Sequence, residues 1–183
     1  MDSNEVVNAF QNDSLGSDDA VGIADKIKKG ELSASLVTRD AIERAKAVNP
    51  KLNAITVENF DLAQTNSEKP FSGFFQGVPT FIKDTDEVPG LPLYLGSRSL
   101  PGEPSDKYSK AAKQIIDTGL NCLGTTTTPE FGLTGTTESL RFGATCNPWN
   151  TAYSTGGSSG GSSALVASGA VSYTHLRAHE TIL

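Results

Sequence analysis

Serines set among glycines carry most of the chemistry this sequence can offer. The stretch GGSSGGSSA, residues 156–164, holds four glycines and four serines in nine residues. Residue types alone allow it three uses. A flexible linker joins two units and is flanked by polar sequence; here ALVASGAV, residues 164–171, follows at once and calls for burial. A phosphate-binding P-loop needs G-x-x-x-x-G-K-[ST]. Gly156 and Gly161 have that spacing, but Ser162 stands where the phosphate-reaching lysine must be. A nucleophile elbow, G-x-S-x-G, is matched by residues 156–160 with Ser158 at its centre. That use needs an acid and a histidine elsewhere in the chain. His175 and His179 are the only histidines, and both sit close to the C-terminal end. They are spaced as two metal ligands on one helix face would be, yet the glutamate is not placed as in H-E-x-x-H, so no metal site is assigned. Taken singly, Lys83 reads as a solvated lysine and Ser158 as a turn serine.

Composition narrows the classes. A chain of 183 residues, 37% hydrophobic and 20% charged, is long and apolar enough for one globular domain with a core. A net charge of −6 and the lack of any basic run argue against a nucleic-acid partner. No apolar run reaches the length of a bilayer span, so no membrane partner is expected. The acidic start, MDSNEVVNAFQNDSLGSDD, lacks the basic and apolar regions of a secretory signal, and a cytoplasmic location is the default. Cys122 and Cys146 are too few for a disulfide framework and match no zinc spacing; both are expected as reduced thiols in or near the core.

The elements that must position these residues follow from periodicity and punctuation. Residues 1–18 read as a flexible lead-in and 19–171 as a partial domain. A helix is predicted over 19–29, stopped by Gly30. Ser33 caps a second one, with Ala34, Val37, Ala41, Ala45 and Val48 on one face, and Asn49-Pro50 ends it. NAITVEN (53–59) and GVPTFIKD (77–84) read as strands, with a helix over 60–67 between them and Lys83 near the second strand's end. VPGLPLYLGSRSLPGEP (88–104) reads as a long surface connection. Residues 107–120 form an amphipathic helix with Ala111 and Ile115 inward, 121–128 a threonine-rich strand, 129–155 an irregular stretch, and 162–171 a small-residue buried helix. Strands alternating with helices predict an α/β layered domain. SYTHLRAHETIL (172–183) breaks off that last helix; YTHLRAHET resembles a translated sequencing adapter, and the segment is read as foreign to the domain.

Four longer stretches stand in a telling order: GELSASLVTRDAIERAKAVNPKLNAIT (30–56), GVPTFIKDTDEVPGLP (77–92), LGTTTTPEFGLTGTTES (123–139) and CNPWNTAYSTGGSSGG (146–161). Together they resemble the amidase signature family, the Ser–cis-Ser–Lys amide hydrolases, over about residues 19–171. The resemblance implies the N-terminal part of an α/β/α fold, a mixed central sheet flanked by helices, here truncated. It implies that Lys83 is the catalytic base and Ser158 the bridging serine, on a cis Gly157–Ser158 peptide. Ser159 and Gly157 would support the network, and Gly135, Thr136 and Thr137 would line the acyl side of a substrate pocket or else form a turn. One departure shows: many members have Gly-Lys-Thr-Asn where this chain has Gly124-Thr125-Thr126-Thr127.

Amide hydrolysis needs an activated nucleophile and a proton for the leaving nitrogen. A serine hydroxyl is a weak nucleophile until a base takes its proton. Lysine serves only when neutral, so its ordinary pKa of about 10.4 must be lowered by burial. In the family the bridging serine passes the proton between nucleophile and lysine. The family's nucleophile, a third serine after Gly-Gly, would fall near Ile182, where this chain has neither. The polypeptide as written is therefore expected to lack nucleophile and oxyanion hole and to be inactive. It is also expected to dissolve poorly, through an unpaired sheet edge and bare helix faces. The implied substrate is a small-molecule amide and no cofactor is implied, because the triad works by protonation states alone. The A-type component of a glutamyl-tRNA(Gln) amidotransferase and a non-catalytic binding fragment stay open as alternatives, as does the oligomeric state.

Overall fold

The computed structural model describes residues 5–174. Helix α1 (Ala20–Lys28) starts on Asp19, whose carboxylate accepts the Gly22 amide at 2.8 Å. Helix α2 (Ala34–Leu52) starts on Ser33, whose hydroxyl accepts the Leu36 amide at 3.1 Å. Val37, Ala41, Ala45 and Val48 lie on its buried face, as the three- and four-residue steps predict. Pro50 does not end α2. It sits in the last turn, where one missing backbone donor costs little cooperativity. The helix stops at Asn53, whose backbone is left-handed (φ 51°), while the Asn49 side chain collects the Ala54 and Ile55 amides at 2.8 and 3.0 Å.

Next come β1 (Ile55–Glu58), α3 (Phe60–Ser67), β2 (Pro79–Lys83), α4 (Lys110–Ile116) and β3 (Asn121–Thr126). The strands form one mixed sheet in the order β1–β3–β2, with β1 antiparallel and β2 parallel to β3. The parallel pair follows from the crossover through α4. Two short antiparallel pairs come next, β4 (Glu138–Ser139) with β5 (Gly143–Ala144) and β6 (Cys146–Asn147) with β7 (Asn150–Ser154), and then helix α5 (Gly160–Ala167). Every residue of β2 and β3 is buried, as expected of strands covered on both faces. Alternation along the strands divides the core. Phe81 and Leu123 join residues of α1, α2, α3 and α5, whereas Ile82 and Cys122 join Val88, Leu91 and Ala112. Helices thus cover both faces of the mixed sheet, the α/β layering the alternation predicts.

Several expectations are corrected. The inward alanine of α4 is Ala112, and Ala111 is exposed. The Ser109 hydroxyl accepts the Ala112 amide at 3.1 Å and fixes the helix start three residues later than the pattern suggests. The 88–104 connection buries Val88, Leu91 and Ser97, and the irregular 129–155 stretch holds the two short strand pairs. Nor do residues 5–18 hang loose: Val7 and Leu15 are core residues. From α2, Arg44 donates to the Asp13 carboxylate at 2.7 Å and to the Gly169 carbonyl at 2.8 Å, tying the lead-in to the end of the domain. Of the tail, residues 172–174 touch the body. Ser172 Oγ donates to the Asp18 carbonyl at 2.9 Å, and Thr80 Oγ1 donates to the Tyr173 carbonyl at 3.2 Å. His175, His179 and Ile182 lie outside the described residues. Among the described residues no helix is long and apolar enough to cross a membrane.

Candidate active site

Strand β2 delivers Lys83 at its end, opposite Thr126 of β3. The Asp84 amide donates to the Thr126 carbonyl at 3.1 Å and holds the strand end in place. Only 1% of Lys83 is exposed, so its amine is withdrawn from water. Its Nζ donates to Ser158 Oγ at 2.6 Å.

Ser158 sits in the turn between β7 and α5, half-buried, and the Gly157–Ser158 peptide is cis. The turn is packed too closely for side chains. A Cβ on Gly160 would lie 2.2 Å from Thr137 Oγ1 and 2.4 Å from Thr155 Oγ1. One on Gly161 would lie 2.4 Å from the Ala54 carbonyl oxygen and 2.5 Å from the Thr127 nitrogen, both rigid backbone. These glycines let the start of α5 approach the end of β3.

Threonine hydroxyls stitch this region together. Thr126 Oγ1 lies 2.8 Å from Ser162 Oγ on α5, and Thr127 Oγ1 lies 2.7 Å from Thr145 Oγ1. Thr128 Oγ1 donates to the Ser158 carbonyl at 3.0 Å, and Thr137 Oγ1 donates to the Gly156 carbonyl at 2.8 Å. Reading TTTT only as β-prone misses this. Its one local signal is the period of two, which gives Thr126 and Thr128 the same side of the strand, toward Ser162 and Ser158.

Of the remaining residues singled out from sequence, Ser159 is buried at the N-terminal end of α5, and Gly157 is exposed beside Ser158. Gly135 and Thr136 are exposed on the preceding loop. Thr137 is buried under the turn, so it touches the turn that carries Ser158 rather than an open pocket wall.

Asp84, to which the sequence alone assigns no role, anchors the neighbouring loop. Its buried carboxylate accepts the Tyr94 amide at 3.0 Å and the Gly96 amide at 3.3 Å. Burial pushes its carboxyl up to about 7, against the lowering effect of those two amides and of Arg141. The loop in turn receives the Phe131 amide at the Leu95 carbonyl, at 2.7 Å. This brings Gly132 beside the site, where a Cβ would lie 3.9 Å from Ser158 Oγ. Phe131 and Leu133, on either side of it, are exposed.

Chemically, a buried amine bonded to a hydroxyl can exchange a proton with it. Among the described residues no cluster of three or more His, Cys, Asp or Glu side chains is placed to hold a metal ion. A cavity of about 240 Å³ lined by Asn59, Tyr108, Asn121 and Cys122 lies at the start of β3, away from Lys83.

Comparison with known proteins places this geometry in context. The family model described as Amidase matches residues 36–175. The "Putative amidase AmiC" of Mycobacterium leprae (strain TN) is 43% identical over 169 residues, covering 92% of this chain and 36% of that protein. The A-type component of the glutamyl-tRNA(Gln) amidotransferase of Prochlorococcus marinus (strain NATL2A) is 34% identical over 152 residues, 79% of this chain and 31% of that protein. A solved structure of 6-aminohexanoate cyclic dimer hydrolase superposes with a TM-score of 0.82 at 36% identity, over 87% of this chain and 33% of that one. The chain thus spans about a third of the length of the relatives it matches.

Proposed function

The chain belongs to the amidase family, and from that premise we propose that it carries the base-and-relay part of an amide hydrolase site. Lys83 is the base and Ser158 the bridge. The nucleophilic serine lies outside the described residues, and the position near Ile182 is not a serine. The observation that carries this reading is the 2.6 Å contact between Lys83 Nζ, out of water, and Ser158 Oγ.

In the forward step the neutral Lys83 amine takes the Ser158 hydroxyl proton as Ser158 takes the proton of the nucleophile. The nucleophile's oxygen then bonds to the amide carbon. Protons return by the same path, through Ser158, to the departing nitrogen as the C–N bond breaks. Water enters as the second nucleophile and releases the acid, restoring each group. Ser159 helps hold the turn, Gly157 leaves the approach to Ser158 open, and Gly135 and Thr136 border the space where a small-molecule amide would lie.

Two constructions test this. Residues 1–183 alone are expected to turn over no simple amide. A chimera in which residues 1–171 replace the matching third of the 6-aminohexanoate-cyclic-dimer hydrolase is expected to hydrolyse that cyclic dimer. Lys83→Ala or Ser158→Ala should lower its kcat by about 10³-fold, in the range of general-base removal. An active chimera indifferent to both substitutions would overturn the assignment. Turnover by 1–183 alone, abolished by Lys83→Ala, would overturn the placement of the nucleophile elsewhere. A role within an amidotransferase complex is the second reading, favoured by matches to such components at 34% and 36% identity; glutaminase activity that appears with partner subunits present would bring it forward.

A further inference from the structure

The carbonyls on the two sides of the Gly157–Ser158 peptide are each held by a threonine hydroxyl from a different part of the chain. Thr137 Oγ1 donates to the Gly156 carbonyl at 2.8 Å and Thr128 Oγ1 to the Ser158 carbonyl at 3.0 Å. Both threonines are buried, at 1% and 0% exposure, so water does not compete for these bonds. Thr128 follows two residues after Thr126, the residue that faces Lys83 across the β2–β3 pair. One continuous piece of backbone therefore spans from the partner of Lys83 to the bond that fixes Ser158. Thr137 comes from a separate segment, just before β4. Its hydroxyl packs against the turn, where a Cβ on Gly157 would lie 3.0 Å and one on Gly160 2.2 Å from it.

Two fixed carbonyls leave the intervening peptide little rotation about its ends. The direction in which Ser158 Oγ points is then set by the threonines as much as by Lys83. A hydroxyl bond of this kind contributes little to stability, but positioning errors of an ångström at a proton-transfer site cost about 10²-fold in rate. We propose that Thr128 and Thr137 are positioning residues for the relay, a two-sided clamp that aims Ser158 Oγ at Lys83 Nζ. The proposal rests on the reading of Lys83 and Ser158 as base and bridge.

The test follows the side-chain ¹⁵Nζ resonance of Lys83 in the full 183-residue chain at fixed pH, assigned by its disappearance in Lys83→Arg. Ser158→Ala is expected to move this resonance by more than its linewidth, because it removes the hydroxyl bonded to the amine. Thr128→Val and Thr137→Val keep the shape and delete the hydroxyl; each is expected to move it in the same direction. Thr128→Ser and Thr137→Ser are expected to leave it in place, a split that loss of packing alone would not produce. If Ser158→Ala moves the resonance and neither valine variant does, the clamp is overturned while the relay stands. A serine variant that moves it as far as valine also overturns the clamp. If Ser158→Ala leaves it unmoved, the relay reading falls and the clamp falls with it. Where a valine variant does not fold, the unaltered chain decides. The ¹³C carbonyl resonances of Gly156 and Ser158 are expected to shift between H₂O and D₂O through the hydroxyl bonds, and no shift at either overturns the proposal.

Discussion

Lys83 faces Thr126, not Thr125, across the parallel β2–β3 pair. Lower in the same ladder Thr80 faces Cys122, so three steps along β2 correspond to four along β3. The extra residue falls between Cys122 and Thr125, a stretch that holds Gly124 with its backbone at φ 146°; the ladder to β1 shifts separately, between Ile55 and Val57 opposite Thr126 and Thr125. A bulge of this kind re-aims the side chains beyond it. Here it brings Thr126 level with Lys83, and Thr128 within reach of the turn bearing Ser158.

That bulge depends on glycine. A Cβ at position 124 would lie 2.2 Å from the Val57 carbonyl oxygen, which is fixed in β1, and φ 146° is unfavourable for any other residue. Gly124→Ala is expected to cost at least about 2 kcal/mol, read as a lowered urea midpoint. Gly135→Ala provides the contrast. Nothing lies within 4 Å of a Cβ there and φ is not positive, so its effect should stay within about 0.5 kcal/mol. Equal effects at the two positions would mean that the ladder does not need its bulge.

The buried pair between Arg44 and Asp13 should be expensive to break. Arg44 is 2% exposed and donates to Asp13, Gly169, Gly16 and Gln11. Arg44→Ala leaves the carboxylate and three carbonyls without that donor, and a loss of about 3–5 kcal/mol is expected. The pair also sets a pH dependence. Burial alone would raise the Asp13 carboxyl, but hydrogen bonds from Arg44, Gln11 and the Gly16 amide outweigh it and hold it below the usual range. Protons therefore bind the unfolded chain more readily at this site. The stabilisation is present above about pH 4 and is lost as pH falls through the lowered value. Acid unfolding of Asp13→Asn that matched the unaltered chain would refute this.

Asp84 should act in the opposite direction. Its carboxyl is raised to about 7, so between about pH 4 and about pH 7 the folded chain holds a proton that the unfolded chain has released. Stability from this group is full below the lower value and falls as pH rises through the upper one, by about 4 kcal/mol at most. Asp84→Asn cannot ionise and should flatten this decline. It should also be less stable at pH 5, because its NH₂ group meets one of the two amides the carboxylate accepts. Melting temperatures from pH 5 to pH 8 for both proteins decide the matter, and parallel curves would count against the assignment.

How much of this was legible in the sequence depended on whether the cause was local. The buried face of α2 followed from residue spacing, because helix periodicity is a short-range property. Pro50 misled because a proline restricts the residue before it but can still be housed in a last turn. The phase of α4 could not be told from two adjacent alanines; the Ser109 cap chose Ala112. Lys83 and Ser158 stood out only through family resemblance, since nothing local ties residues 75 apart. The threonine bonds were hidden for the same reason: their partners lie at Ser162, Thr145, Ser158 and Gly156.

The two cysteines offer a direct probe of the layer under α4. Cys122 is buried on the face of β3 that packs against Ile82 and Ala112. Burial pushes its thiol up to about 11, although its contact with the Gly124 backbone works the other way. Only the thiolate attacks disulfide reagents, so at neutral pH Cys122 is expected to stay silent for two reasons, burial and protonation. Cys146 is half-buried at the edge strand β6 and should react first. A thiol titration of the native chain should therefore show one reactive group, with the second appearing only in denaturant, at the rate of unfolding. Cys122→Ser should leave the fast phase and remove the slow one. Two equally fast thiols in the native chain would mean that the small core between β3 and α4 opens on the timescale of the reagent, and that the sheet is not closed on that face.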